Sequence, residues 1–171
     1  MVKKESQHYE LIRDYLSLGF DQNFDETESC YFEITARNFS EKIKKQLDDL
    51  QLVFARRREA RPDVMGVLKK EISTERITAE VKTEELNISD FYQAKEYMEL
   101  YDAKHGFLFT KEDIPVRIKK GCNKYMIHYT FHHRTLTLAK FEKRIIPKEE
   151  GIKVKEWFPE ALFNEVKYLR I

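Results

Sequence analysis

Two periodicities alternate along this chain. Between about Lys4 and Leu18, His8, Leu11, Ile12, Tyr15 and Leu16 recur every three or four residues, which predicts an amphipathic helix that stops at Gly19. After the polar connection DQNFDETES, the segment CYFEITA is rich in β-branched and aromatic residues and predicts a strand. SEKIKKQLDDL predicts a short helix capped by Ser40, with Ile43, Leu47 and Leu50 along one side. From Pro62 the period falls to two. PDVMGVL and ERITAEVKT, joined by the polar KKEISTE, predict a β-hairpin. NISDFYQAKEYMELYDAKHG then predicts a long helix, capped by Ser89 or Asp90 and ended near Gly106, with Phe91, Ala94, Met98 and Tyr101 on one stripe. GFLFT follows as a strand, YMIHYTF and RTLTLAKF as further strands, and a closing helix after Pro159 carries Leu162, Val166 and Leu169. This order describes a mixed α/β domain with a central sheet and flanking helices.

A chain of 171 residues suits one such domain, here residues 1–171, and 42% hydrophobic against 36% charged residues leaves no tract to assign as disordered. No apolar run reaches the length of a membrane span, and MVKKESQHYE lacks the apolar core of a signal peptide, so the expected location is the cytoplasm. Cys30 and Cys122 have no CxxC spacing, so thiolates alone make neither a zinc knuckle nor an iron-sulfur cluster. Formal net charge is +1, which leaves the question of a polyanionic partner to local clusters. Arg56, Arg57, Arg58 and Arg61 stand against the single Glu59, and Arg117, Lys119, Lys120 and Lys124 form a second basic run. Either can meet phosphates, although a charge run by itself is more often a solvated face.

The chemically informative segment is the hairpin. In ITAEVKT, alternation puts Ile77, Ala79 and Val81 on one face and Thr78, Glu80 and Lys82 on the other. Asp63 lies on the preceding strand, 17 residues before Glu80, so the two carboxylates can converge. Paired carboxylate oxygens suit a hard cation such as Mg2+ or Mn2+, and the backbone carbonyl of Val81 offers a further oxygen. A cation there would neutralise phosphate charge and help generate hydroxide, while Lys82 would stabilise developing charge or orient the attacking water.

Pro62-Asp63 followed by Glu80-Val81-Lys82 resembles the PD-(D/E)XK, or restriction-endonuclease-like, nuclease superfamily. The resemblance covers about Glu5 to Thr110. It implies an αβββαβ core over about residues 4–110, with residues 111–171 as a C-terminal extension of strands and a helix. Asp102-Ala103-Lys104 and Glu165-Val166-Lys167 match the acid-x-Lys triplet too, but lie in predicted helices. Gln93-Ala94-Lys95-Glu96-Tyr97 is similar to the Gln-x-x-x-Tyr motif of the exonuclease-related branch, which implies that Gln93 and Tyr97 face the metal site or nucleic acid. The cluster cysteines found in parts of that branch are absent. The expected function is therefore divalent-metal-dependent hydrolysis of phosphodiester bonds in DNA, with RNA as second choice and with Arg56, Arg57, Arg58 and Arg61 on the phosphates. The alternative is an inactive scaffold that binds nucleic acid or a protein partner. Substrate structure and assembly are left open, a homodimer included.

His128, His132 and His133 make a poor metal group on a strand, because His128 and His132 would stand roughly 13 Å apart and His133 would face away. Members of the superfamily often add a glutamate from the first helix. Measured from the apolar stripe, Glu5 lies roughly 70° away, at the rim of the buried face, whereas Glu10 lies about 150° away in solvent. Glu5 is thus the expected fourth site residue, a metal ligand with Asp63, Glu80 and Val81. Glu5→Gln is expected to impair cleavage or metal affinity and Glu10→Gln to match the parent. Metal-titrated cleavage rates of the two variants test this, and equal rates would remove Glu5 from the site.

Overall fold

The segments with strand character form one six-stranded mixed sheet whose strands lie side by side in chain order. They are β1 (Ser29–Ile34), β2 (Val64–Lys69), β3 (Thr74–Lys82), β4 (His105–Thr110), β5 (Leu136–Ile146) and β6 (Glu149–Phe158). This is a computed structural model, and it describes residues 4–24, 29–146, 149–163 and 166. β1, β2 and β3 are antiparallel neighbours, β3, β4 and β5 run parallel, and β6 returns antiparallel to β5. Each parallel step needs a crossover. Helix α4 (Ile88–Leu100) supplies the first and α5 (Val116–Tyr125) the second. Helix α1 (Tyr9–Asn23) follows a 3-10 turn at Lys4–His8, and α2 (Glu41–Lys44) and α3 (Asp49–Ala55) occupy the β1–β2 connection.

The strand alternation sorts the core into two layers. Ile77, Ala79 and Val81 join Ile12, Leu16 and Phe20 of α1 together with Phe107, Phe109 and Phe141. The opposite face carries Leu108, Leu136 and Leu138 under α4 and α5, and Met65 and Val67 beside α2, α3 and Tyr101. Glu80 and Lys82 therefore emerge on the α4 side, as alternation requires.

Several elements differ from the pattern. The first helix runs through Gly19 to Asn23, because a Cβ at Gly19 would stand 2.7 Å from the Phe163 ring; this glycine permits close packing and does not end the helix. The segment after Ser40 breaks into two helices, since Asp48 and Gln51 form a capping box that starts a new one. Asn87, paired with Asp90, caps α4 in place of Ser89. Gly106 lies inside β4, well beyond the helix it was expected to end. YMIHYTF is not a strand: Tyr125 ends α5, Met126 takes a left-handed φ of 55°, and only the bridge Tyr129–Thr135 remains extended. The parallel β4–β5 pairing forces this, because the intervening chain must cross over the sheet. β6 went unpredicted because charged residues dominate EEGIKVKEWF, which suits an edge strand with one solvated face. The expected closing helix lies largely outside the described residues, and Ala161–Phe163 are not helical. Among the described residues, no helix is long and apolar enough to cross a membrane.

Gly66 lies directly opposite Phe32 on β1, whose ring covers it so closely that an added Cβ would be 2.2 Å from the ring edge. Gly66→Ala is expected to destabilise by about 1–3 kcal/mol through overpacking, and Phe32→Leu in the same chain to restore part of the loss. Urea denaturation of the two variants measures both effects, and an unchanged midpoint in Gly66→Ala would refute the packing argument.

Candidate active site at the end of the β2–β3 hairpin

The register that pairs Val64 with Ala79 sets Asp63 beside Glu80 one step further on and Pro62 opposite Val81. The ladder stops there for a chemical reason. The Pro62 carbonyl accepts from Thr35 Oγ1 at 2.7 Å, and the Asp63 carbonyl accepts from Thr35 N at 2.8 Å. The Val81 N–H goes instead to Asp63 Oδ2 at 2.9 Å. In a ladder, the N–H and C=O of one residue face the same neighbour, so the Val81 carbonyl is also directed toward the Asp63 side. Lys82, one residue on, turns its carbonyl the other way, to the Lys111 N–H of the chain leaving β4. Asp63 and Glu80 retain 7% and 5% of their exposure.

Lys82 Nζ stands 2.9 Å from Glu80 Oε1 and 3.7 Å from Asp90 Oδ1, and donates to Gln93 Oε1 at 3.2 Å. Gln93 passes the contact on, its Nε2 donating to the Tyr97 hydroxyl at 2.8 Å, which donates to the Glu59 carbonyl at 3.0 Å. Gln93 and Tyr97 meet because they are one helical turn apart. Burial pushes the Tyr97 phenol well up, the negative charge of Glu80 adds to this, the Gln93 hydrogen bond opposes it, and Asp63 and Glu96 contribute further in the upward direction. Asp90 is the residue missed in the sequence: NISD signalled a cap, and only the fold shows its second oxygen turned to Lys82.

The arginine run divides. Arg56, Arg57 and Arg58 are exposed. Arg61 is committed elsewhere, donating to the carbonyls of Ala55 at 2.8 Å, Arg56 at 3.2 Å and Arg37. Its backbone N–H closes the 3-10 turn Arg58–Ala60 by donating to the Arg58 carbonyl, while its side chain ties the end of α3 to Arg37. Tyr97, expected to face nucleic acid, is 2% exposed and serves the same turn, as does Tyr101 through a 2.6 Å bond to the Ala60 carbonyl. Glu10 is exposed, as the helical geometry predicts. The Glu5 side chain lies outside the described residues, although its 3-10 turn packs on β3. His8 is buried edge-on to Phe141, and burial, with Lys111 and Lys143 nearby, lowers its pKa. His128 is buried beside Tyr129, while His132 and His133 are exposed.

Among the described residues no three His, Cys, Asp or Glu side chains converge as a metal group. What the hairpin end offers is two carboxylates and the Val81 carbonyl, all hard oxygen donors, and Mg2+ is commonly held by one or two carboxylates plus waters. Comparison with protein-family models and with curated proteins returns no match for this chain.

Tyr97→Phe removes the donor to Glu59 and leaves Gln93 Nε2 without its acceptor. A loss of about 1 kcal/mol is expected, which for a chain of this size lowers Tm by roughly 2–4 °C. Thermal denaturation measures it, and an unchanged Tm would show that the hydroxyl does not hold the turn.

Proposed function

We propose that this protein is a divalent-metal-dependent nuclease of the PD-(D/E)XK type acting on DNA. The observation that supports it most is the juxtaposition of Asp63 and Glu80 across the β2–β3 register, with Lys82 Nζ 2.9 Å from Glu80. With α2 and α3 set aside as an insertion between β1 and β2, the order α1, β1, β2, β3, α4, β4 is compatible with the αβββαβ core of that superfamily, and β5 and β6 extend the sheet beyond it. In this reading Asp63, Glu80 and the Val81 carbonyl hold Mg2+ or Mn2+, with Glu5 completing the set. When bound, such a cation neutralises phosphate charge and acidifies water.

The chain's own groups do the rest. Lys82 presents a fixed positive charge beside the carboxylates, where charge develops on a scissile phosphate. Gln93 and Asp90 hold that ammonium in place, so its orientation is set before substrate arrives. Arg56, Arg57 and Arg58, exposed on the turn anchored by Tyr97, grip flanking phosphates. A second reading, a nuclease-like scaffold that binds without cutting, draws support from the burial of both carboxylates and from the ion pairs that occupy Lys82.

Cleavage assays with Mg2+ and Mn2+ on single-stranded, duplex and branched DNA, with an RNA control, separate the two. Asp63→Asn, Glu80→Ala and Lys82→Ala are each expected to abolish cleavage with unchanged circular dichroism, because members of a cooperating site act as a unit. The asparagine keeps an acceptor for the Val81 N–H, so the β2–β3 junction survives the substitution. Full activity in Glu80→Ala would overturn the site. Binding by the parent with no cleavage under any metal would favour the scaffold.

A further inference from the structure

At the far end of the parallel strands from Asp63, where β4 and β5 begin and β6 finishes, lies a cavity of about 630 Å³. Its walls come from four places in the chain: Lys104 before β4, the turn carrying His132 and His133, Thr137 on β5, and Glu160 after β6. Thr137 is buried, and among the described residues Glu160 is the one carboxylate in the lining. Arg134 also reaches the cavity but is neutralised by Asp102 at 2.5 Å. Lys104, His132 and His133 have no carboxylate partner among the described residues. Among the described residues, the lining is therefore rich in side-chain donors and carries one carboxylate.

The turn that presents the histidines is held in one shape. Thr130 N donates to the Arg134 carbonyl at 2.8 Å, His133 N to the Thr130 carbonyl at 3.0 Å, and Arg134 N to Thr130 Oγ1 at 3.1 Å. His133 takes a left-handed φ of 57°, a conformation that costs energy for a residue with a Cβ and that clusters at binding sites. Pro159 and Leu162 add apolar surface to the lining, to which Tyr129 also belongs.

We propose that this cavity is a second binding site, for a phosphomonoester of nucleotide size. A phosphomonoester supplies three acceptor oxygens and nearly two negative charges, which answers a donor set with a single carboxylate. The volume lies within the roughly 300–1,000 Å³ of small-molecule sites and is far more than an inorganic anion needs. The phosphate lies on Lys104, His132, His133 and the Thr137 hydroxyl, and the organic part lies on Pro159 and Leu162. A free mononucleotide and the 5′-phosphorylated end of a strand share this chemistry. The site does not depend on the carboxylate hairpin.

Isothermal titration calorimetry in EDTA tests the site, using adenosine 5′-monophosphate, adenosine, inorganic phosphate and a 5′-phosphorylated trinucleotide. The monophosphate is expected to bind at least about tenfold more tightly than adenosine or phosphate. Lys104→Gln and His133→Asn should each weaken it, about tenfold together, with unchanged circular dichroism. Asparagine is chosen because it tolerates left-handed backbone. Asp63→Asn should leave this binding as in the parent, which separates the cavity from the hairpin site. A trinucleotide that binds as tightly as the monophosphate identifies a strand end as the source, and weaker binding identifies the free nucleotide. No heat up to millimolar monophosphate, equal affinity for adenosine, or unchanged affinity in the double variant would overturn the proposal.

Discussion

Where the β2–β3 ladder runs out, Val81 gives its N–H to the Asp63 carboxylate at 2.9 Å, and the arrangement around the candidate site follows from that bond. Pro62 has no N–H to offer Val81, and its carbonyl is already committed to Thr35. The aspartate side chain takes over as the acceptor. This fixes one carboxylate oxygen on the backbone of β3, between Glu80 and Lys82, and leaves the register no freedom to slip. A slip of one residue would turn Glu80 and Lys82 into the apolar layer under α1, at the cost of several buried aromatic and aliphatic contacts.

Burying two carboxylates is costly unless cations and donors compensate them. Lys82 is the cation, itself held among Glu80, Asp90 and Gln93. The hydrogen-bond chain continues from Gln93 through Tyr97 to the Glu59 carbonyl, and Tyr101 separately holds the Ala60 carbonyl, next to the exposed Arg56, Arg57 and Arg58. One helix thus ties the acidic hairpin end to the exposed basic turn. Arg61 donates to three carbonyls beside this turn, so the least exposed member of the arginine run serves the backbone while Arg56, Arg57 and Arg58 stay exposed.

Three positions without a side chain allow neighbouring segments to pack closely. Gly66 sits under Phe32, Gly19 under Phe163 and Gly106 under Met98 Sδ, where an added Cβ would be 2.1 Å away. Gly106 allows α4 to rest on the first turn of β4, and this sets how deeply Gln93 reaches toward β3. The parallel order of β3, β4 and β5 then separates two ends of the sheet: strand carboxyl ends beside the acidic hairpin, and amino ends beside the donor-lined cavity.

The sequence by itself determined the hairpin and the face on which Glu80 and Lys82 emerge, because strand alternation is a local property of the backbone. It determined α4 and its stripe for the same reason, and it placed Glu10 in solvent from helical angles alone. Helix ends were less legible, since Gly19 and Gly106 carry the signature of a stop yet were shaped by Phe163 and Met98, residues distant in sequence. The second crossover was hidden as well: α5 buries little besides Ile118 and Cys122, and only the parallel pairing of β4 with β5 demands a helix there. Tertiary structure alone decided which members of a motif face outward. Arg61 belongs to the same run as Arg56, and Tyr97 to the same motif as Gln93, but the carbonyls of Ala55, Arg37 and Glu59 lie within their reach and accept their hydrogen bonds.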